Sequence, residues 1–136
     1  MNELIMEIPG ADRRYPIVIE SGCLSQVAPV LIPVYRGRRA VIITDTNVGP
    51  LYAGALKDEL EAGGVKTNVI EIPAGEPHKT PETVLGLLSK LVTLEMDRGD
   101  LVIALGGGVV GDTAGFTASI YLRGIPLVQI PTSLLA

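Results

Sequence analysis

The chain has 136 residues, with 11 basic and 15 acidic side chains and a formal net charge of −4. This length suits a single domain with its own core, and the acidic balance argues against nucleic acid or an anionic membrane surface as the main partner. One cysteine (Cys23) excludes an intrachain disulfide and a cysteine-based zinc cluster, and one histidine (His78) argues against a metal site built from this chain alone.

The first third of the sequence predicts a hairpin, a short helix and a buried strand. Leu4–Ile8 and Tyr15–Glu20 are apolar-rich runs on either side of a Pro-Gly turn, which indicates two strands. Residues 23–35 predict a short helix. Ala40–Thr44 is a continuous apolar, β-branched run, typical of a strand buried on both faces.

The middle third predicts two amphipathic helices separated by a strand and a loop. Apolar residues recur at helical spacing from Val48 to Leu60, and Val65–Ile72 predicts the next strand. The loop Pro73–Lys79 follows. A second helix has a clear start, because Thr80 can serve as its N-cap with Pro81 at the first helical position.

The last third predicts strand, glycine turn, helix and strand. The runs are Leu101–Leu105, then a helix from about Val110 to Leu122, then Leu127–Ile130. Strands that alternate with helices favour an α/β fold, a mostly parallel sheet with helices on both faces, here with an N-terminal β-hairpin. Leu134–Ala136 are expected to begin a further helix, which three residues cannot sustain. We therefore expect residues 1–136 to be one nucleotide-binding domain of a longer protein.

The glycine turn carries the main chemical signal. Gly106, Gly108 and Gly111 have GxGxxG spacing between a strand and a helix, the context in which backbone N–H groups hold a pyrophosphate. Close packing of the turn is the alternative explanation. A P-loop is rejected, because Asp112 stands where the phosphate-binding lysine belongs.

An acid that binds the adenine ribose is expected elsewhere. In an ordinary Rossmann fold it lies about 20 residues after the glycines, but that distance here leads to Pro131 and its neighbours. Asp45, at the end of the AVIIT strand, is the candidate, with capping of the following turn as the alternative. In the loop PAGEPHKT, Glu76 can accept hydrogen bonds from ribose hydroxyls and Lys79 can neutralise a phosphate, unless the loop is only a solvated surface.

Four segments carry a resemblance to a known family: TDTNV (44–48), GEPHK (75–79), GGGVVGDTAGFTASIYLRG (106–124) and QIPTSLLA (129–136). They resemble the 3-dehydroquinate synthase family, within the wider group of sugar-phosphate cyclases and iron-dependent alcohol dehydrogenases. The resemblance implies a Rossmann-like fold and NAD as cofactor. The cofactor contacts it implies are Asp45, Asn47, Glu76, Lys79, Gly107, Gly108, Val109, Asp112, Thr132 and Ser133.

The resemblance also divides the roles among these residues. Asp45 and Asn47 would contact the adenine ribose, and Glu76 and Lys79 would meet NAD from their loop. The stretch Gly107–Asp112 would surround the pyrophosphate and the nicotinamide ribose. Thr132 and Ser133 stand where many members have a Thr-Thr pair, and Ser133 keeps the hydroxyl.

The family's activity would require more than this chain. The resemblance implies conversion of 3-deoxy-arabino-heptulosonate 7-phosphate to 3-dehydroquinate and phosphate, in the shikimate pathway, by a cytoplasmic homodimer. A divalent zinc or cobalt ion would be held by a C-terminal helical domain, so neither metal ligands nor catalytic residues are expected here, and the chain alone should be inactive. Arg123 would contact substrate across the dimer interface, although a cation at a helix end also suits the helix dipole. A related sugar-phosphate cyclase and a non-catalytic nucleotide-binding module remain open.

Overall fold

The structure, a computed structural model, describes residues 2–10, 13–35 and 37–136. An antiparallel hairpin comes first and a four-stranded sheet follows. The elements, in chain order, are β1 (Asn2–Glu7), β2 (Arg14–Ile19), α1 (Val27–Leu31), β3 (Arg39–Asp45), α2 (Gly49–Ala62), β4 (Lys66–Ile72), α3 (Pro81–Thr93), β5 (Leu101–Gly106), α4 (Gly108–Ile120) and β6 (Leu127–Pro131). Short 3₁₀ turns occupy Cys23–Gln26, Glu76–His78 and Tyr121–Arg123.

The main sheet is parallel throughout, in the order β4-β3-β5-β6. The central strands β3 and β5 are almost wholly buried, as their continuous apolar runs require. The prediction of an α/β, Rossmann-like, mostly parallel sheet with an N-terminal hairpin is confirmed.

Two hydrophobic cores lie on opposite faces of this sheet, because successive side chains of a strand point to opposite sides. Ala40 and Ile42 pack with α1 and α2, whereas Val41 and Ile43 pack with α3 and α4. Helices thus cover both faces, and the helices that follow β3 and β5 lie on opposite sides of the sheet. No helix in the described ranges is long and apolar enough to cross a membrane.

At both ends of helix α3, side chains form hydrogen bonds with backbone N–H and carbonyl groups that have no partner within the helix. The Thr80 hydroxyl oxygen accepts a hydrogen bond from the Thr83 N–H at 3.3 Å, and Pro81 occupies the first helical position, as the sequence predicted. At the other end, the Arg39 guanidinium donates to the carbonyl oxygens of Leu94 and Glu95 at 3.0 and 3.3 Å.

Two helix predictions need correction. The helix predicted over 23–35 is a 3₁₀ turn followed by five α-helical residues. Helix α4 starts at Gly108 instead of Val110, because helical geometry begins directly after the extended Gly107. At the C-terminus, where the sequence predicted the start of a further helix, Leu134–Ala136 form a single turn, in which the Ala136 N–H donates to the Ser133 carbonyl at 3.3 Å.

The end of α4 also differs from the prediction, which extended the helix to Leu122. After Ile120 the chain reverses, with Leu122 and Arg123 at φ of 48° and 68°. Two interactions account for the reversal: the buried Tyr121 hydroxyl donates to the Met96 carbonyl at 2.6 Å, and the Ile125 N–H reaches back to Ala118 at 3.0 Å.

Tyr35 gives the fold a dependence on alkaline pH. Its hydroxyl donates to the Arg39 carbonyl, and burial together with the charge of Asp100 raises the pKa of Tyr35 to about 12, from 10.0. As the pH rises, the Tyr35 hydroxyl therefore loses its proton in the unfolded chain before it does so in the folded protein. The contribution of Tyr35 to the free energy of unfolding is complete below pH 10 and is lost progressively up to about pH 12.

We therefore expect the free energy of unfolding to fall between pH 10 and pH 12, as measured by urea denaturation at a series of pH values. Tyr35→Phe should flatten this decline, because the titrating group is gone. An equally steep decline in the variant would show that other groups cause it.

Candidate functional site

The carboxyl ends of the four parallel strands meet at one edge of the sheet. β3 ends at Asp45 and its neighbour β5 ends at Gly106. The chain leaves these two strands to opposite faces of the sheet. This arrangement is a topological switch point, and the crevice at a switch point is where α/β sheets bind ligands. The structure thus brings the candidate ribose acid and the glycine turn to the same crevice.

The glycine turn leaves the start of α4 open. No side chain caps the helix, and Gly107 precedes it in an extended conformation. A Cβ atom on Gly108 would meet only the Leu135 carbonyl oxygen, at 3.8 Å, so no side chain is packed against this glycine. N–H groups at a helix N-terminus that no side chain caps suit a phosphate.

Close packing, the alternative explanation of the glycine turn, accounts for one of its glycines. A Cβ atom on Gly106 would lie 2.7 Å from Val110 Cγ2, so this glycine is needed for close packing. The Thr132 N–H donates to the Gly106 carbonyl at 3.0 Å, and the Ser133 hydroxyl lies 3.3 Å from where a Gly107 Cβ would be. Thr132 and Ser133 therefore flank the turn, and both are exposed.

Asp45 closes the turn between β3 and α2. Its Oδ1 accepts hydrogen bonds from the N–H groups of Asn47 and Val48 at 2.9 and 2.8 Å. The capping role is therefore present, and both of its hydrogen bonds go to one oxygen, so the turn does not use Oδ2. The Asn47 side chain is exposed beside it.

Lys79 links its own loop to α4. The ammonium group lies 3.1 Å from Glu76 Oε1 and 3.1 Å from Asp112 Oδ2. Hydrogen bonds first to Glu76 and then to Asp112 raise the pKa of Lys79. The three side chains are exposed, so solvent screens their attraction. The two ion pairs of Lys79 therefore matter more for the position of the loop than for stability.

Sequence reasoning missed two residues that hold these segments in place. The Thr46 hydroxyl accepts a hydrogen bond from the Ala74 N–H at 3.1 Å, across two strand ends. Gln129 Nε2 donates to the Gly111 carbonyl at 3.1 Å. The sequence signal for Gln129 was the pair Gly111 and Gly115, four residues apart on α4. Two glycines at this spacing leave one side of a helix without side chains, so that a neighbouring side chain can come close to its backbone. Thr46 lies in the TDTNV segment, but the resemblance gave it no role of its own.

The structure separates Arg123 from the other candidates. The 13 residues of α4 span about 20 Å, and Arg123 lies beyond its far end, exposed, in the turn before β6. His78 lies on the exposed loop, where its carbonyl accepts from the Thr83 hydroxyl at 2.7 Å. Val109 is partly buried in the first turn of α4.

A groove between α3 and α4, of about 550 Å³, adjoins Lys79 and Asp112. Its walls are mainly apolar and include Leu85, Phe116 and Ile120. Sequence reasoning did not identify it, although Phe116 and Ile120 are one helical turn apart on an otherwise small-residue helix. An apolar groove of this kind does not suit a phosphate.

The residues present fit a dinucleotide but not a metal ion. The open N-terminus of α4 suits the pyrophosphate, and Asp45 Oδ2 on the adjacent strand suits a ribose. Within residues 2–10, 13–35 and 37–136, no group of three or more His, Cys, Asp or Glu is arranged to hold a metal ion.

Fold and site together define a Rossmann-like α/β domain with a candidate nucleotide site. A family model described as 3-dehydroquinate synthase, N-terminal, matches residues 69–136. The chain therefore belongs to the 3-dehydroquinate synthase family. A curated 3-dehydroquinate synthase from Lactiplantibacillus plantarum is 47% identical over 131 residues, which make up 96% of this chain and 36% of the relative.

Solved structures of sugar-phosphate cyclases share the fold. A 2-deoxy-scyllo-inosose synthase complexed with carbaglucose-6-phosphate, NAD⁺ and Co²⁺ superposes with a TM-score of 0.82 at 25% identity, over 96% of this chain and 35% of that one. A 2-epi-5-epi-valiolone synthase from Streptomyces hygroscopicus, with NAD⁺ and Zn²⁺ bound, gives 0.75 at 29% identity, over the same shares. The chain spans about a third of the length of the curated relatives it matches.

Proposed function

We propose that this chain is the NAD-binding part of a 3-dehydroquinate synthase, which converts 3-deoxy-arabino-heptulosonate 7-phosphate to 3-dehydroquinate and phosphate. The observation that carries the proposal is the crevice between β3 and β5, which joins the open start of α4 to the Asp45 carboxylate in a chain of this family. Bound NAD would supply a hydride acceptor that is regenerated within the reaction.

The residues of this chain bind and orient that cofactor. The N–H groups at the start of α4 hold the pyrophosphate, with Gly107 and Gly108 leaving room for it. Asp45 Oδ2 accepts from the adenine ribose, and Asn47 assists. Val109 and Asp112, in the first turns of α4, lie on the nicotinamide side.

Two further segments complete the cofactor site. The loop with Glu76 and Lys79 closes against Asp112, to which Lys79 is already bonded. The Thr132 and Ser133 hydroxyls contact the cofactor from the other side of the glycine turn, a proposal supported by the position of Ser133 next to Gly107.

The remaining parts of the activity belong, in this proposal, to residues outside the 136. A helical domain supplies the zinc or cobalt site, so the chain alone is inactive, and no chemical step is assigned here to the metal. A homodimer in the cytoplasm is proposed, in which Arg123 reaches the partner's substrate. The exposure of Arg123, at the end of α4 remote from its own glycine turn, supports a role across an interface.

Substitutions of Asp45 test the cofactor assignment, because they separate its two oxygens. Asp45→Asn keeps an oxygen for the Asn47 and Val48 N–H groups but presents an amide donor to the ribose. We expect Asp45→Asn to bind NAD about tenfold more weakly, the effect of losing a charged hydrogen bond, with stability unchanged. Asp45→Ala should lose the same affinity and also about 1 kcal/mol of stability.

Calorimetric titration with NAD and urea denaturation measure the two effects. Wild-type protein that fails to bind NAD at millimolar concentration would contradict the proposed function. Normal NAD affinity in both variants would leave Asp45 with its turn-closing role alone.

A second candidate is a related cyclase that acts on a different sugar phosphate. It is favoured by the structural similarity to 2-deoxy-scyllo-inosose synthase, whose complex contains carbaglucose-6-phosphate. Product analysis of the full-length protein, supplied with each sugar phosphate in turn, separates the two candidates.

A further inference from the structure

Thr46 joins the two loops that approach the crevice from β3 and β4. Its N–H donates to the Ile72 carbonyl at 3.1 Å, and its hydroxyl oxygen accepts from the Ala74 N–H at 3.1 Å. Ile72 is the last residue of β4, and Ala74 lies at the start of the loop that carries Glu76 and Lys79. Thr46 therefore connects the turn that contains Asp45 to the segment that leads into the loop of Lys79, through its own N–H and through its hydroxyl.

This contact holds the start of the loop from residue 73 to residue 79. The other end is held by the ion pair between Lys79 and Asp112 and by the Thr83 hydroxyl, which donates to the His78 carbonyl at 2.7 Å. Between them Gly75 has a φ of +112°, and Glu76, Pro77 and His78 are exposed. Few apolar contacts restrain such a segment, so its conformation depends on the polar contacts at its two ends.

Attachment at both ends matters because ordering a loop upon binding reduces affinity. Groups that contact a ligand are most effective when neighbouring residues already hold them in place. Thr46 is exposed and stands between Asp45 and Asn47, so it contributes little to the core. Its hydrogen bond serves the relative position of the two loops.

We propose that Thr46 is a positioning residue for the cofactor site: through the Ala74 N–H it holds the loop of Glu76 and Lys79 in register with the turn of Asp45. This inference rests on the proposed function, since the consequence it predicts is for NAD affinity. It assigns Thr46 no contact with the cofactor itself.

The test compares Thr46→Val with Thr46→Ser. Valine has the shape of threonine and keeps the backbone N–H to Ile72, but it cannot accept from Ala74, whereas serine can. We expect Thr46→Val to bind NAD three- to tenfold more weakly, with its melting temperature within a degree or two of the wild-type value, and Thr46→Ser to bind like the wild type. Thr93→Val is the matched control, because the Thr93 hydroxyl is also exposed and bonds one carbonyl, that of Ser89 at 3.0 Å, in α3.

Hydrogen exchange of the peptide covering residues 73–79, measured without NAD, tests the attachment independently of the cofactor. Thr46→Val should exchange faster there than wild type and Thr93→Val. Unchanged exchange, or unchanged NAD affinity in Thr46→Val beside a wild type that binds, would overturn the inference. A wild type that binds no NAD, while Thr46→Val still exchanges faster, would contradict the proposed function and leave the positioning of the loop supported.

Discussion

Gly108→Leu is expected to lower NAD affinity by at least about a hundredfold while the protein stays folded. A leucine side chain would fill the space above the first turn of α4, where only the Leu135 carbonyl oxygen lies within 4 Å of a Cβ. A phosphate kept from two helix N–H groups loses two charge-assisted hydrogen bonds, each worth about 1.5–3 kcal/mol. Calorimetric titration with NAD measures the loss.

The matched control is Gly86→Leu. Gly86 is also helical, in α3, and a Cβ atom there meets nothing within 4 Å. Leucine is the better helix former by up to about 1 kcal/mol, so this variant should be as stable as wild type or more so, with normal NAD affinity. If Gly108→Leu also binds NAD normally, the cofactor does not occupy the start of α4, and the glycine turn serves packing alone.

The sheet could be predicted from the sequence because its central strands depend on burial alone. Thr44 is the one polar residue in the two runs AVIIT (40–44) and LVIAL (101–105). Such runs are typical of strands that are buried on both faces, as these strands are in the structure. Helix ends were harder. Nothing local predicts that α4 stops at Ile120, since the reversal at Leu122 depends on Tyr121 bonding to Met96, a residue 25 positions earlier.

The candidate site could be predicted in part, for the same reason. Asp45 and Gly106 end two buried strands, Gly108 follows closely, and adjacent parallel strands bring their carboxyl ends together. The contacts of Lys79 with Asp112 and of Thr46 with Ala74 join residues 33 and 28 positions apart. Such contacts depend on how loops lie after the strands have paired, which no spacing in the sequence records.

Asp45 shows that a structural and a binding explanation need not exclude each other. Its Oδ1 closes the turn, and that same pair of hydrogen bonds fixes the direction of Oδ2. The glycine turn divides similarly: Gly106 is required by packing, whereas Gly108 leaves open space. Separating these roles requires substitutions at single positions, since the motif as a whole serves both.

Gly106→Ala is expected to destabilise the protein by about 1–3 kcal/mol, the range for overpacking a buried site. The added methyl carbon would lie 2.7 Å from Val110 Cγ2 and 2.8 Å from Val110 Cβ, both on a fully buried side chain. Backbone strain makes no contribution, because Gly106 is an extended residue of β5 and alanine adopts that conformation freely. Alanine also lowers the conformational entropy of the unfolded chain, which offsets a small part of the loss in stability. Urea denaturation measures the change, and Gly54→Ala, where a Cβ meets nothing within 4 Å, should show no loss.

Val110→Ala tests whether the clash is the cause. Alone it should cost about 2 kcal/mol, because it leaves a cavity in the core shared by β5 and α4. Combined with Gly106→Ala, the smaller side chain makes room for the added methyl group, so the double variant should be more stable than the sum of the two losses by at least about 1 kcal/mol. Strict additivity would mean that Gly106→Ala acts elsewhere. A favourable coupling would assign the first glycine of the motif to the packing of α4 on β5, and it would leave Gly108 as the glycine that admits the phosphate.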